Sequence, residues 1–194
     1  MADHAQGAAV TVRHLWKVFG LAPAAERHLR DELAAGRTSE LGARRDKAAV
    51  FAVNDVSFDI APGEIFCVMG LSGSGKSTLV RLINRLIEPN FGSIKVDGID
   101  ITALDAEGLR TVRSTKIAMV FQNVALFPHR TVLENIAYPL EVRGVARRER
   151  LDEAARLLAL IRLHGWGERL PGALSGGMQQ RVGLARALAA APKV

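Results

Sequence analysis

The stretch Gly70-Leu-Ser-Gly-Ser-Gly-Lys-Ser77 has the spacing GxxxxGKS and lies between an apolar run and an amphipathic one. Residues 65–69 predict a buried strand, and the apolar positions within residues 76–87 predict a helix. The three glycines allow the backbone to curl so that its N–H groups point at one phosphate, and the helix adds the positive end of its dipole. The order of strand, loop and helix therefore predicts a loop that binds a nucleotide phosphate.

Two side chains of this loop are expected to act on the phosphates directly. Lys76 is expected to reach the β- and γ-phosphates of the nucleotide, and the Ser77 hydroxyl is expected to hold Mg²⁺. Thr78 offers the next hydroxyl to the nucleotide. The other expected contacts come from small or hydroxyl-bearing residues of the loop, which are Gly70, Ser72, Gly73, Ser74 and Gly75. The alternative, a glycine-rich turn without a ligand, is disfavoured by the strand and helix patterns on either side.

The composition is that of a globular chain. The 194 residues are 48% hydrophobic, yet no apolar run approaches the roughly eighteen residues of a membrane span. The net charge of +6 comes from 26 basic residues interleaved with 20 acidic ones, with few aromatics for stacking on bases, so no nucleic-acid partner is expected. The first residues lack the pattern of a signal peptide, which predicts a cytoplasmic protein.

Cys67 is the only cysteine, which excludes an internal disulfide. It lies inside the apolar run of residues 65–69, and this place predicts a buried side chain rather than a reactive thiol. We assign it no chemistry.

The chain before the phosphate loop predicts two strands. Residues 10–18 predict a strand that ends at Phe19, and the apolar spacing of residues 53–60 predicts another. A turn at residues 61–63 is expected to join the second strand to the strand before the loop as a hairpin. Phe19 or Trp16 is a candidate to stack on a nucleotide base, and an aromatic that caps the sheet edge is an equally good interpretation.

Residues 21–49 differ in composition and in hydrophobic pattern from the predicted strands on either side. Pro23 is expected to begin a helix that Gly36 ends, and residues 39–46 are expected to form a second short turn. Mixed basic and acidic residues indicate a solvated, amphipathic insertion.

The chain after the loop predicts further core elements. Residues 93–96 predict a short strand and residues 106–112 a weak helix. Residues 117–121 form a continuous apolar run, typical of a strand whose sheet is covered on both faces. The run ends at Gln122, and a polar residue at the carboxyl end of such a strand lies where ligands bind, so Gln122 is a candidate to reach Mg²⁺ or an attacking water. An ordinary loop glutamine is the alternative.

From Thr131 onward the pattern is mostly helical. Residues 151–163 predict a helix, and glycines follow it. Ser175 is placed to cap a strong helix over residues 178–191. Ser-Gly-Gly before a helix is common, so this motif gains meaning only from its order and spacing relative to the others.

Three motifs occur here in one order: the phosphate loop, Val-Phe-Gln122 about 45 residues later, and Leu174-Ser-Gly-Gly-Met-Gln-Gln-Arg181 about 100 residues later. Together they resemble the nucleotide-binding subunit of an ABC transporter. The resemblance implies a Walker A loop from Gly70 to Thr78, a Q-loop glutamine at Gln122 and an adenine-stacking aromatic at Phe19. Lys76 and Gln122 would be catalytic, and Ser77 and Gln122 would hold the metal.

The resemblance also implies a second ATP-binding subunit packed head to tail. In that arrangement the signature residues Ser175, Gly176 and Gly177 contact the γ-phosphate held by the partner's Lys76 loop. A helix N-terminus is a suitable site for an anion. Met178 departs from the commonest signature, which has glutamine there, and leaves the serine and glycines intact.

Several stretches are similar to one subfamily, the importers of glycine betaine, proline and related quaternary amines. They are residues 70–78, 81–89, 116–122 and 174–188 and the insertion after Phe19. The implied partners are transmembrane permease subunits and, indirectly, a solute-binding protein, with the chain peripheral on the inner face of the cell membrane. The alternatives are an ABC ATPase for another solute such as an amino acid, a non-hydrolysing ATP-binding fragment, and another phosphate-loop protein such as a kinase or GTPase.

The expected fold class is α/β: a P-loop NTPase (RecA-like) core with an antiparallel N-terminal β-subdomain and an inserted helical subdomain, incomplete at the C-terminus. The expected domains are a nucleotide-binding core at residues 1–123 with a helical insertion at about 21–49, a helical subdomain at 124–180 that ends in the signature, and the start of the return to the core at 181–194. In this family a strand ending in Asp-Glu and a switch histidine follow. No Asp or Glu occurs after Glu168, so the 194 residues are expected to be an N-terminal portion with little ATPase turnover of its own.

Overall fold

The computed structural model describes residues 8–34 and 49–194. The chain divides into two compact units, residues 1–105 and residues 106–194. The expected division between a core and a helical subdomain at residues 123 and 124 stays a prediction.

The first unit contains an antiparallel sheet of four strands in the order β2-β1-β3-β4. The strands are β1 (Val10–Phe19), β2 (Val50–Ile60), β3 (Phe91–Val96) and β4 (Ile99–Asp100). β1 pairs with β2 from Val10↔Ile60 to Phe19↔Val50, and with β3 from Val10↔Val96 to Trp16↔Phe91. The antiparallel N-terminal β-subdomain and the strands predicted at residues 10–18, 53–60 and 93–96 are therefore confirmed.

The central strand β1 shows how alternation and a bulge together fill the core. Val10 and Val12 face inward and are fully buried, as the two-residue period of a strand requires. At His14 the backbone φ is +46° and the register shifts, so that the adjacent residues Leu15 and Trp16 are both buried. The bulge thus changes which face of the strand supplies the core.

Helix α1 (Pro23–Ala34) begins at the predicted proline. Its predicted end at Gly36 and the turn predicted at residues 39–46 lie outside the described residues. Helix α2 (Lys76–Ile83) begins at the predicted lysine but ends four residues before the predicted end at residue 87. Arg85 has a φ of +53°, and the N–H groups of Arg85 and Leu86 donate to the carbonyls of Leu82 and Arg81, which closes the helix.

The second unit is built from helices. They are α3 (Ala106–Thr115), α4 (Val132–Val142), α5 (Arg147–Leu160) and α6 (Gly176–Ala189), with a 3₁₀ turn at Pro171–Ala173 before α6. The apolar faces of α4, α5 and α6 share one buried cluster that includes Ile136, Leu157 and Val182. The helices predicted within residues 106–112, 151–163 and 178–191 are confirmed, although α5 ends at Leu160, three residues before the predicted end. Within the described ranges, no helix combines the length and the apolar content that crossing a bilayer requires.

The strand predicted at residues 65–69 is wrong. The segment has no regular secondary structure, and Ile65 and Met69 are 90% and 88% exposed. Cys67, predicted to be buried, is exposed. The predicted hairpin with residues 53–60 is also wrong, since β2 pairs with β1. An apolar run favours burial, but a strand forms only where a second backbone pairs with it, and that partner is not encoded in the run.

Residues 117–121 are not a strand either. The N–H of Val194 donates to the carbonyl of Lys116 at 3.0 Å, and the N–H of Ala118 donates to the carbonyl of Val194 at 2.9 Å. This exchange around Ile117 is the hydrogen-bond pattern of a parallel pair, although it involves too few residues to make a strand. The apolar run therefore pairs with Val194 in the parallel direction that the sequence predicted, but the paired stretch is too short to be a strand.

Candidate functional site

The loop from Gly70 to Ser77 owes its shape to left-handed glycines. Gly73 and Gly75 have φ values of +79° and +88°, a region that side chains with a Cβ avoid. A Cβ at Gly75 would collide with the carbonyl oxygen of Ala52 in β2, and a Cβ at Gly70 would lie 2.7 Å from the Ser74 hydroxyl. The loop backbone therefore packs directly on β2 at one glycine and closes on itself at another.

The ammonium of Lys76 lies inside the curve of the loop. Lys76 Nζ donates hydrogen bonds to the carbonyls of Gly70 at 2.8 Å and Leu71 at 2.6 Å, and it lies 3.4 Å from the Ser74 hydroxyl. Lys76 is also the first residue of α2, so the ammonium and the positive end of the helix dipole act at the same place. The glycines without side chains and the inward ammonium fit a phosphate group.

Ser77 and Thr78 follow in the first turn of α2, where Ser77 is exposed and Thr78 half-buried. Ser77 can therefore offer its hydroxyl to a metal ion at the phosphates. Among the described residues, no three His, Cys, Asp or Glu side chains gather as a protein metal site would need. A magnesium ion at this loop would find the Ser77 hydroxyl and the phosphate oxygens as ligands.

A cavity of about 260 Å³ lies against the loop. β2 supplies one wall, and Ser74, Gly75 and Lys76 supply polar lining. The β2 wall consists of Phe51, Ala52, Val53, Asn54 and Val56. Val68, Met69 and Leu79 complete the lining with apolar side chains.

The structure separates the two candidates for stacking on a base. Trp16 is 5% exposed and belongs to the core, which rules it out. Phe19 is 39% exposed at the end of β1, and the Lys17 ammonium lies 5.1 Å from the centre of its ring. Phe19 and the phosphate loop belong to the same unit, whereas Gln122 and Ser175 belong to the other.

In the second unit, Gln122 is exposed in an irregular segment after the apolar run. Ser175 is the N-cap of α6, where its hydroxyl accepts a hydrogen bond from the N–H of Met178 at 3.4 Å. Gly176 and Gly177 form the first turn and are exposed, and a Cβ at either would meet nothing within 4 Å. Their amides are therefore open at the positive end of a helix of 14 residues.

The sequence did not reveal the role of two polar residues, one in each unit, that hold neighbouring segments in place. Asn135 is fully buried in α4 and hydrogen-bonds to the backbone of residues 127–131. Asn90 joins β1 to α1 through its side chain. In each case the only signal in the sequence is a polar residue beside apolar ones, which does not reveal its partners.

The sequence model of the family described as ABC transporter matches residues 53–194, well over half of the chain. The chain belongs to the ABC transporter family. The match includes both the Lys76 loop and the segment around Ser175. Together with the geometry of the loop, this membership makes the chain a nucleotide-binding one.

Two curated relatives within the ABC family are named for transport of one class of solute. The chain is 48% identical over 185 residues to the glycine betaine/carnitine transport ATP-binding protein GbuA of Listeria monocytogenes, covering 95% of this chain and 46% of the relative. It is 57% identical over 142 residues to the glycine betaine transport ATP-binding protein OpuAA of Bacillus subtilis, covering 73% of this chain and 34% of the relative. The chain thus spans less than half the length of these curated relatives.

A solved structure from the same family has the same fold. It is the dimeric, post-hydrolysis state of the ATP-binding cassette MJ0796 bound to ADP and Pi, with a TM-score of 0.76 and 32% sequence identity over 94% of this chain and 70% of that one. The likeness confirms the α/β fold class and the P-loop NTPase core predicted from the sequence.

Proposed function

We propose that the chain is the nucleotide-binding part of an ABC importer subunit that couples ATP binding and hydrolysis to uptake of glycine betaine, proline betaine or a related osmoprotectant. The observation that carries the ATP-binding part is the inward ammonium of Lys76 within a glycine-shaped loop. The names of the relatives GbuA and OpuAA support the class of solute.

Each residue of the site has a chemical task under this proposal. Lys76 exchanges its carbonyl partners for phosphate oxygens and neutralises the β- and γ-phosphates. Ser77 and Gln122 would hold Mg²⁺, which would neutralise phosphate charge, and Gln122 would also orient the attacking water. Phe19 stacks on the adenine. Backbone amides of the loop, including those near Gly73, and the Ser72, Ser74 and Thr78 hydroxyls bind the remaining phosphate oxygens.

A second copy of the subunit completes the site in this proposal. Ser175, Gly176 and Gly177 of one copy would face the γ-phosphate on the Lys76 loop of the other. The open amides at the start of α6 support this, because they attract an anion. The dimeric state named for the cassette MJ0796 is consistent with such a pair. Permease subunits and a solute-binding protein would be the further partners, with the chain bound at the inner face of the membrane.

Binding of ATP is tested by titration calorimetry on the Lys76→Ala variant. We expect ATP affinity to fall roughly tenfold or more, because the backbone amides alone cannot offset the charge of the γ-phosphate. Lys95→Ala is the matched control, since Lys95 is an exposed lysine on β3 of the same unit. Equal ATP affinity in the Lys76 variant and the parent protein would overturn the assignment of the loop.

The solute is tested by uptake in a strain that lacks the gene for this subunit. We expect uptake of labelled glycine betaine to be lost and to return when the gene is restored. Normal betaine uptake combined with loss of import of an unrelated solute, such as an amino acid, would refute the class of solute and leave ATP binding untouched.

A further inference from the structure

Helix α1 packs against the end of β1 that carries Phe19. Leu29 of α1 is 4% exposed and forms a small buried cluster with Trp16 and Val18 of β1. Other apolar residues close the cluster: Leu21, Leu33, Ala49, Phe51 and Phe91. The last residues of β1 therefore share their core with α1.

The two sides of β1 are held differently near Phe19. β2 accompanies β1 as far as the pair Phe19↔Val50. On the other side, pairing with β3 stops at Trp16↔Phe91. The last part of β1 thus needs another partner on the β3 side, because an exposed strand end frays readily.

Asn90 supplies that partner and connects it to α1. The side-chain Oδ1 of Asn90 accepts a hydrogen bond from the N–H of Val18 at 2.8 Å. The backbone N–H of Asn90 donates to the carbonyl of Trp16 at 3.0 Å. Its Nδ2 donates to Oε1 of Glu26, in the first turn of α1, at 3.0 Å. One asparagine thereby extends the ladder along β1 and anchors it to the helix.

Lys17 adds a tether next to the aromatic ring. Its ammonium donates to the carbonyl of Glu88 at 2.8 Å and lies 5.1 Å from the centre of the Phe19 ring. The two residues that precede Phe19, Lys17 and Val18, are therefore fixed by contacts outside the strand pair with β2.

We propose that α1 is a brace that positions Phe19 for a nucleotide base, acting through Leu29 and the hydrogen bond between Glu26 and Asn90. This inference rests on the proposed nucleotide-binding function. A ring held in place before binding loses less conformational freedom when the base stacks on it, so the brace raises the base-dependent part of the affinity. The phosphate-dependent part is set at the Lys76 loop and is independent of the brace.

The two parts are separated by titrating the purified protein with Mg²⁺ and either ATP or inorganic tripolyphosphate, which has the phosphates without the base. We expect Phe19→Ala to lower ATP affinity about fivefold to tenfold and to leave tripolyphosphate affinity unchanged. We expect Glu26→Ala and Leu29→Ala to lower ATP affinity about threefold or more with the same selectivity. Glu26→Gln keeps an oxygen acceptor for Asn90 and should bind ATP as the parent does.

Two variants test whether a change in ATP affinity comes from the position of Phe19 and not from general damage to α1. Asp31→Asn changes an exposed residue of α1 and should leave both affinities unchanged. Glu26→Ala removes one hydrogen bond and leaves the Leu29 packing in place, so it reports on the brace even if Leu29→Ala unfolds the unit.

The outcomes distinguish the brace from the proposed function. ATP affinity that stays at the parent value in both α1 variants, while Phe19→Ala weakens it, overturns the brace. Equal losses for ATP and tripolyphosphate in the α1 variants also overturn it, because they indicate general destabilisation. A parent protein that binds neither ligand refutes nucleotide binding itself.

Discussion

Replacing the buried Asn135 by alanine should lower the stability of the helical unit. Asn135 is 0% exposed within α4 and makes its hydrogen bonds to the backbone of the segment after Gln122. Its Oδ1 accepts from the N–H of Phe127 at 2.8 Å. Its Nδ2 lies 3.1 Å from the carbonyl of Phe127, 3.1 Å from that of Arg130 and 2.9 Å from that of Thr131.

The cost of Asn135→Ala follows from the groups that lose their partner. The Thr131 carbonyl also accepts from the N–H of Asn135, so it stays bonded in the variant. The Phe127 carbonyl likewise keeps the N–H of Arg130 as its donor. The N–H of Phe127 and the carbonyl of Arg130 lose the amide, at about 1–3 kcal/mol for each group that becomes buried and unsatisfied. Since Phe127 and Arg130 are half-buried, water can replace part of the loss. With two such groups, we expect the free energy of unfolding to fall by about 2 kcal/mol.

The assay is urea unfolding followed by circular dichroism, with Asn123→Ala as the matched control. Asn123 is exposed in the same unit, and its removal should change the free energy of unfolding by less than about 0.5 kcal/mol. A loss below about 1 kcal/mol for Asn135→Ala would show that water replaces the amide and would refute the buried network.

Three further variants test separate features. Gly75→Ala places a methyl group against the Ala52 carbonyl at a φ of +88°. We expect the free energy of unfolding, followed by a thermal melt, to fall by about 1–3 kcal/mol, and we expect ATP to give the variant no further stabilisation. A variant that ATP still stabilises would contradict the packing of the loop on β2. Ser175→Asp keeps a side chain that can cap α6 but adds a negative charge. The free energy of unfolding should stay unchanged, whereas the ATP-dependent dimer detected by light scattering should be lost. A dimer that persists would argue against the proposed contact with phosphate. The hydrogen bond from Arg130 lowers the pKa of Glu141, which therefore stabilises the unit above the unfolded value of about 4.3 and stops doing so as the pH falls through its lower folded pKa. Glu141→Gln should accordingly flatten the dependence of stability on pH below the unfolded value of about 4.3 in urea titrations, and an unchanged slope would exclude Glu141 as its source.

The sequence predicts the helix starts at Pro23 and Ser175 more closely than the ends of α2 and α5. Pro23 and Ser175 were predicted to begin or cap helices and do so, because a fixed φ or a side-chain acceptor acts within one turn. The ends of α2 and α5 were placed too late, at residues 87 and 163. There Arg85 and Arg162 take the left-handed conformation that sequence rules assign to glycine.

The sequence by itself determined the features that depend on neighbouring residues: the phosphate loop with Lys76, the alternation of β1 and the periodicity of the helices. The tertiary structure alone decided which apolar runs are strands, since residues 65–69 are exposed and residues 117–121 have a parallel contact too short for a strand. It also decided that Asn135 and Asn90 hold distant segments together. The physical reason is that glycine conformation and capping act within a few residues, whereas backbone pairing and the bonding of a buried amide require a partner that the local sequence does not specify.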